Sequence, residues 1–129
     1  KCYPTEKGQF YNLFSANDPI SSRNLLLQSG LALDGVTFLY NNRADRPDRL
    51  LLFARYFFPQ YPGARILVMG EARGLALRML KKQGLSARPV KNWREALEIA
   101  NGSLVVGLGN IKGQAYDMIT CMEGGGHHE

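Results

Sequence analysis

The sequence predicts an α/β fold: a doubly wound, mostly parallel sheet of about five strands with helices on both faces. Strand-like and helix-like segments alternate along the chain, which favours parallel strands joined by helical crossovers. Residues 65–69 and 103–109 are apolar runs without polar alternation, as expected for strands buried on both faces. The chain has 129 residues, 45% of them hydrophobic, and can bury a core as one domain.

The first predicted strand and helix lie near the amino terminus. Residues 9–15 carry four large apolar or aromatic side chains and fit a strand. Asn17 or Asp18 can cap the helix that follows, and Pro19 suits its first turn. Gly30 is the expected end of this helix, because glycine readily adopts the left-handed conformation that closes helices.

The second predicted strand begins at Val36, and residues 43–49 lead from it into a second helix. Asp45 is the candidate cap of that helix, and Pro47 again suits the first turn. The spacing of apolar residues predicts one buried helical face. Its members are Leu50, Leu51, Ala54, Phe57 and Phe58.

The second half of the chain continues the alternation. Residues 61–63, Tyr-Pro-Gly, break the second helix before the apolar strand 65–69, and a third helix ends before Gly84. Residues 87–90 form at best an edge strand, because Pro89 lacks an N–H group. Residues 92–95 resemble a capping box at the start of a fourth helix, and a fifth helix follows the strand 103–109.

The composition points to an anionic partner. The net charge is +5 and the pI is about 9.4. The basic residues are dispersed, with no Lys/Arg run longer than Lys81-Lys82, so nucleic acid is not expected as the partner. Cys2 and Cys121 lie at opposite ends of the chain, which favours a reducing compartment over a disulfide framework.

The ends of the sequence suggest a fragment of a longer chain. The first residue is Lys1 rather than methionine, and residues 124–129 have the composition of a loose tail. His127 and His128 lie in that tail, without Cys, Asp or Glu partners at ligand spacing, so we predict no metal site. There is also no apolar segment near the ~20 residues needed to cross a bilayer.

Right-handed crossovers place every strand-to-helix turn at one edge of a parallel sheet. The predicted turns are residues 17–19, 43–49, 70–71 and 107–113. Ligands of open α/β sheets bind at this edge, where helix N-termini offer unpaired N–H groups. We therefore expect a binding site built from these four turns.

The last of these turns, with Gly109, Asn110 and Lys112, resembles a phosphate loop. Glycines let the backbone approach an anion, and Lys112 adds charge beside a helix N-terminus. The spacing does not match a dinucleotide fingerprint, because four residues rather than three separate Gly109 from Gly113. The pattern indicates an anion or polar-ligand loop, or else glycines that only make a tight turn.

Three arginines follow the second strand: Arg43, Arg46 and Arg49. A guanidinium group can bond both oxygens of a carboxylate, so they could bind an acidic amino acid while an aspartate binds its ammonium group. The alternative is an ion-pair network in the helix, in which Asp45 pairs with Arg49 at i,i+4. That alternative accounts for Arg49 but not for Arg43, which precedes the helix.

The sequence also excludes several kinds of site. It contains no Gly-Lys dipeptide and hence no P-loop for ATP. Histidine occurs only in the tail and both cysteines lie outside the turns, which removes the common nucleophile and general-base arrangements. We therefore predict no catalytic residue in this chain and a domain that binds rather than reacts.

Four blocks carry a family resemblance: FSANDP at 14–19, NNRADRPDR at 41–49, MGE at 69–71 and GLGNIKG at 107–113. In order and spacing they resemble the C-terminal part of the ligase subunit of poly-γ-glutamate synthase, a Mur ligase-like enzyme of capsule synthesis. The resemblance covers residues 10–119. It implies a Rossmann-like domain of an ATP-dependent amide ligase that joins glutamates through γ-carboxyl groups by way of an acyl phosphate.

The resemblance also implies roles for individual residues. Arg43 and Arg46 would contact glutamate carboxylates, with Arg49 beside them, and Asp45 would bind the substrate ammonium or orient an arginine. Asn17 and Asp18 resemble the asparagine-proline element with which related ligases approach their amino acid. The resemblance places four further residues on the nucleotide or phosphate side of the site: Glu71, Gly109, Asn110 and Lys112.

Further expectations follow from the same resemblance. ATP and Mg²⁺ would be bound mainly outside this chain, by a P-loop domain that the sequence lacks, and the isolated chain would be inactive. Glutamate and poly-γ-glutamate would be the ligands. Membrane subunits of a synthase complex would be partners, at the inner face of the cell membrane in the cytoplasm.

Two other classes of function remain open from the sequence. One is a non-catalytic α/β module that senses a small anion or a nucleotide, and the other is a nucleic-acid-binding domain. A P-loop domain encoded directly upstream would favour the ligase, whereas its absence would favour the sensor. Steeply salt-dependent binding to DNA or RNA would indicate a nucleic-acid-binding domain.

Overall fold

The computed structural model describes residues 1–124, which form one sheet with helices on both faces. The strands are β1 (Cys2–Pro4), β2 (Gln9–Asn12), β3 (Thr37–Asn42), β4 (Arg65–Gly70), β5 (Arg88–Pro89) and β6 (Val105–Gly109). The helices are α1 (Pro19–Ser29), α2 (Pro47–Tyr56), α3 (Arg73–Lys82), α4 (Trp93–Ala100) and α5 (Gln114–Gly124), with a 3-10 turn at Phe58–Gln60. None of these helices is long and apolar enough to span a membrane.

The strand order is β1-β2-β6-β3-β4-β5, and all neighbours except β1 and β2 run parallel. The predicted mostly parallel, doubly wound sheet is thus confirmed. The sequence predicted about five strands, and β1 is the sixth. It has three residues, one of them Pro4, so its pattern is too short to recognise, and it exists because Tyr3 pairs with Phe10 across an antiparallel ladder.

The two faces of the sheet bury separate apolar clusters. On β3, Phe38 and Tyr40 point toward α1, α2 and α3, whereas Leu39 points toward α4 and α5. Successive side chains of a strand alternate between faces, so a strand covered by helices on both sides must be apolar at every position. This requirement explains the continuous apolar runs in the sequence.

Two helix starts follow the predicted capping. The Asp18 carboxylate accepts a hydrogen bond from the Ser21 N–H at 2.8 Å, so Asp18 rather than Asn17 caps α1. The Asn92 side chain accepts from the Glu95 N–H at 2.9 Å at the start of α4. Glu95 Oε1 then accepts from the Lys91 N–H at 2.6 Å, one residue earlier than in a standard capping box.

The predicted cap of α2 was wrong, whereas Pro47 opens the helix as predicted, and the helix is shorter than its predicted apolar face. The residue at the N-cap is Arg46, which makes no side-chain capping bond, and Asp45 instead pairs with Arg43 at 3.0 Å. Because the Arg43 guanidinium holds this carboxylate outside the helix, Asp45 is not positioned for an i,i+4 pair with Arg49. The helix also ends before Phe57, although Phe57 remains fully buried.

The carboxyl end of α5 also differs from the prediction. Gly124 is the last residue of that helix, so the expected tail does not begin there. The remaining expected tail, with His127 and His128, lies outside the described residues. The end of α5 is tied to the start of the chain, since the Tyr3 hydroxyl donates to Glu123 Oε2 at 2.7 Å.

Candidate functional site

A cleft of about 400 Å³ lies at the carboxyl ends of β3 and β4, next to the loop that follows β6. This is the edge at which open α/β sheets bind ligands. The lining residues come from four separate turns of the chain. They are Asn41, Asn42, Arg43, Gly70, Glu71, Arg73, Lys91, Lys112, Gly113 and Gln114.

The charge of this cleft is strongly positive. Four of its lining residues are cations, Arg43, Arg73, Lys91 and Lys112, and one, Glu71, is an acid. The Arg73 Nη1 donates to the Val90 carbonyl at 2.6 Å, which ties α3 to the end of β5. Like charges converging on one concave surface raise the local potential and favour an anionic ligand.

Asn41 fixes the loop that carries Lys112. Its Nδ2 donates to the carbonyls of Asn110 and Lys112, at 2.7 Å in each case. The side chain of Asn110 in turn accepts from the Lys112 N–H at 2.8 Å. The amide at the end of β3 therefore holds the loop after β6 against the cleft.

Gly109 permits the close approach on which this arrangement depends. Its φ is +98°, and a Cβ there would lie 2.6 Å from the Asn41 carbonyl oxygen. Only glycine fits such backbone without strain. Packing therefore requires glycine at position 109, whether or not the loop also binds an anion.

Glu71 and Asn42 form one wall of the cleft. The Glu71 Oε1 accepts from the Ala44 N–H at 2.9 Å, and the Asn42 Nδ2 donates to the Glu71 carbonyl at 2.9 Å. The Asn42 Oδ1 is buried and finds no hydrogen-bond partner among residues 1–124. Most buried polar atoms are paired, so an unpaired oxygen beside a cleft is a notable exception.

The structure brings together part of the predicted set. Arg43, Glu71 and Lys112 line one cleft, and Gly109 and Asn110 support it from behind. The other predicted side chains are not among its lining residues: Asn17, Asp18, Asp45, Arg46 and Arg49. The common edge is therefore real, but the two aspartates and two of the three arginines point elsewhere.

Arg49 lies on the core side of α2, near the hydroxyl of Tyr40. Burial raises the pKa of Tyr40 well above its ordinary value, and the nearby Arg49 guanidinium partly opposes this shift. Arg46 and Asp45 are exposed at the start of α2. Asp45 therefore meets the cleft only through its ion pair with Arg43, and Arg46 and Arg49 are not among the lining residues.

Two of the four cleft cations, Arg73 and Lys91, were missed from the sequence, as were the amide side chains Asn41, Asn42 and Gln114. Arg73 opens α3, two residues after Glu71, and Lys91 follows β5. The rule that parallel strands end at one edge could have found both. Lys91 was overlooked because β5 has only two residues and contains Pro89, so its strand-to-helix turn was not counted.

Asp18 has a structural role that the contacts define. Its carboxylate accepts from the backbone N–H and the hydroxyl of Ser21, at 2.8 and 2.9 Å. The backbone hydrogen bond, followed by the hydroxyl bond, lowers the pKa of Asp18 below its ordinary value. The group is therefore a helix cap, exposed at the surface.

Replacing Asp18 by alanine should lower the free energy of unfolding by about 1 kcal/mol, because an N-cap is lost. Urea denaturation at pH 7 measures this difference, with Asp18→Ser as the control that keeps a good cap. The pKa of Asp18 is lowered by folding, so its contribution is complete above its ordinary pKa of about 3.9 and disappears as the pH falls below that. An alanine variant as stable as wild type at pH 7 would contradict the capping role.

No metal-binding group is apparent in the part of the chain that the structure covers. Among residues 1–124, no three His, Cys, Asp or Glu side chains form a group that could hold a metal ion. The cleft instead combines cations, amides and backbone N–H groups. These groups bind carboxylates or phosphates by charge-assisted hydrogen bonds.

Comparison with solved structures supports this fold. The chain superposes on folylpolyglutamate synthase from Thermotoga maritima with a TM-score of 0.64 and 16% sequence identity. The match covers 97% of this chain and 30% of that protein. At this level of identity the similarity concerns the fold alone.

Comparison with known sequences identifies the family. The chain is 28% identical over 128 residues to the PGA synthase CapB of Bacillus subtilis (strain 168). That match covers 90% of this chain but 33% of the relative, so the chain spans about a third of the relative's length. The model of the poly-gamma-glutamate synthase CapB C-terminal domain matches residues 2–125, and the chain therefore belongs to this family.

Proposed function

We propose that this chain is the substrate-binding lobe of an ATP-dependent amide ligase that polymerises glutamate through its γ-carboxyl group. The observation that supports this most directly is the convergence of Arg43, Arg73, Lys91 and Lys112 on one cleft. Both glutamate and its polymer are anionic, so a cationic cleft is complementary to either. Family membership supplies the reaction class, that of a polyglutamate synthase.

In the proposed reaction, a γ-carboxylate is activated as an acyl phosphate. The ammonium group of another glutamate first loses a proton to solvent, and the resulting amine attacks the carbonyl carbon. Phosphate then leaves, and the nitrogen loses a second proton to solvent to give the amide. The task of this lobe is to hold one reactant by its carboxylates so that its reacting group faces the activated carbon. Fixing two reactants in this way removes much of the entropic barrier to their reaction.

ATP and Mg²⁺ would be held mainly by a P-loop domain elsewhere in the whole protein. The sequence of this chain has no Gly-Lys dipeptide for such a loop. Lys112 lies in the cleft just before the start of α5, where its charge is complementary to a terminal phosphate. The whole enzyme would act in the cytoplasm, with membrane subunits at the inner face of the membrane.

The proposal predicts that Arg43→Ala in the whole ligase lowers glutamate polymerisation by about 10- to 100-fold, the value of a lost charge-assisted hydrogen bond. Incorporation of labelled glutamate into polymer measures this activity. The overall fold should persist, because among the described residues the Arg43 side chain forms a hydrogen bond and an ion pair with Asp45 alone. A thermal unfolding curve checks that point.

Arg55→Ala is the matched control. Arg55 is exposed in the last turn of α2 and does not line the cleft. Its loss removes the same charge from the same region without altering the cleft. Normal polymerisation by Arg43→Ala, or equal losses in both variants, would remove Arg43 from the site and contradict the proposal.

A further inference from the structure

We infer that Glu71 binds the ammonium group of an amino acid in this cleft and so selects free amino acids over simple dicarboxylates. The inference rests on the proposed function, which makes the cleft a glutamate site. Among the described residues that line the cleft, Glu71 is the one acid. It shares the lining with four cations, so among the described residues the cleft has one negative side chain on an otherwise positive surface.

This division of charge matches the chemistry of glutamate. Glutamate carries two carboxylates and one ammonium group. Arg43, Arg73 and Lys91 can bind the carboxylates, and the Glu71 carboxylate remains as an acceptor for the ammonium. A phosphate or a second carboxylate beside Glu71 would instead be repelled, since like charges in contact are unfavourable.

One hydrogen bond holds the Glu71 carboxylate in place and leaves most of its acceptor positions open. Its Oε1 accepts from the Ala44 N–H at 2.9 Å, and the side chain is exposed to the cleft. An ionised carboxylate has about four acceptor positions, of which this contact takes one. The remaining positions can accept from an ammonium group without breaking the bond to Ala44.

Asn42 strengthens the same wall. The Glu71 N–H donates to the Asn42 carbonyl and the Asn42 Nδ2 donates to the Glu71 carbonyl, both at 2.9 Å. The second of these bonds holds the Asn42 side-chain amide, and both bonds fix the backbone at Glu71 relative to the end of β3.

The aspartate first considered for this role is placed elsewhere. Asp45 is exposed, pairs with Arg43 at 3.0 Å, and is not among the residues that line the cleft. The Asp45 carboxylate is paired with Arg43 and does not line the site where a ligand would bind. Glu71 therefore takes the place that the sequence suggested for Asp45.

Binding of glutamate and glutarate to the 129-residue chain tests the inference. Glutarate has the same carbon skeleton and both carboxylates but no ammonium group, so the pair isolates the contact in question. An NMR titration, which measures weak binding, gives both dissociation constants. We expect wild type to bind glutamate about tenfold more tightly than glutarate, as one charge-assisted hydrogen bond provides.

Glu71→Gln is the informative variant. Its amide oxygen can still accept from the Ala44 N–H, so the loop is retained while the negative charge is lost. We expect the preference for glutamate to disappear and glutarate affinity to stay the same or rise. Glu98→Gln, an exposed residue of α4 outside the cleft, should keep the wild-type preference.

The outcomes separate the inference from the proposal beneath it. Equal wild-type affinities for the two ligands, or a preference that persists in Glu71→Gln, would overturn the role of Glu71 and leave the glutamate site standing. Failure of wild type to bind either ligand at tens of millimolar would overturn the glutamate site itself. If the variant does not fold, equal affinities of wild type for glutamate and glutarate would still overturn the role of Glu71.

Discussion

Alanine in place of Gly70 should destabilise the protein by about 2–5 kcal/mol, from a left-handed backbone and an overpacked contact. Gly70 has φ +94° at the end of β4, and a Cβ there would lie 2.5 Å from the Asn42 carbonyl oxygen and 2.6 Å from the Asn41 Oδ1. Both asparagines would have to move. Urea denaturation measures the loss of stability.

The same substitution should also disturb the cleft. Asn41 holds the loop of Lys112 by two hydrogen bonds of 2.7 Å, so a displaced Asn41 cannot keep Lys112 in place. Glutamate binding by Gly70→Ala should therefore weaken even where the variant is folded. Gly70→Ala should therefore lower both stability and binding, because the close approach of Gly70 to Asn41 affects the packing of the sheet edge and the position of Lys112.

Gly63→Ala is the control for this prediction. Gly63 has no positive φ, and a Cβ there would meet nothing within 4 Å. Alanine is compatible with that site and should leave stability unchanged or raise it by about 0.4–1 kcal/mol. If the two glycine variants unfold at the same urea concentration, the steric explanation for Gly70 is wrong.

Alanine in place of Phe53 should cost about 3–5 kcal/mol, the usual loss for a buried phenylalanine. Phe53 is 0% exposed, and the rings of Tyr40 and Phe57 have their centres 5.4 and 5.5 Å from it. The cavity would open between α2 and the sheet. Because a domain is stable by only about 5–15 kcal/mol, such a variant would be close to unfolding.

Leu52→Ala provides the comparison for Phe53. Leu52 is the preceding residue of α2 and is 43% exposed, so its loss should cost less than about 1 kcal/mol. Urea denaturation of both variants under one set of conditions gives the difference directly. Comparable losses for the two residues would show that the aromatic cluster contributes less than its burial implies.

The sequence predicted those parts of the fold that depend on local pattern. The strand predicted at 65–69 is β4, in which residues 66–69 are buried and apolar because both sides of the strand are covered. The caps Asp18 and Asn92 were recognised because a helix start needs an acceptor within three residues of its free N–H groups. The right-handedness of the crossovers predicted that the strand-to-helix turns meet at one edge of the sheet.

The site was predicted less completely than the fold. Arg43, Glu71 and Lys112 were identified and line one cleft, but Arg73 and Lys91 were not identified. The start of α2 was assigned to Asp45, which is held by Arg43 instead. The error at Asp45 concerns the partner of a side chain, whereas the omission of Lys91 came from β5, whose two residues gave too little pattern for its turn to be counted.

The sequence by itself determined the family, the alternation of strands and helices, and the edge of the sheet where a ligand would bind. These features follow from residue order and from periodicities shorter than about ten residues, which the printed chain contains in full. The tertiary structure alone decided which charges share the cleft, which aspartate pairs with Arg43, and that Cys2–Pro4 forms a strand. Those outcomes depend on contacts between residues far apart in the chain, and such contacts exist only after the sheet has formed.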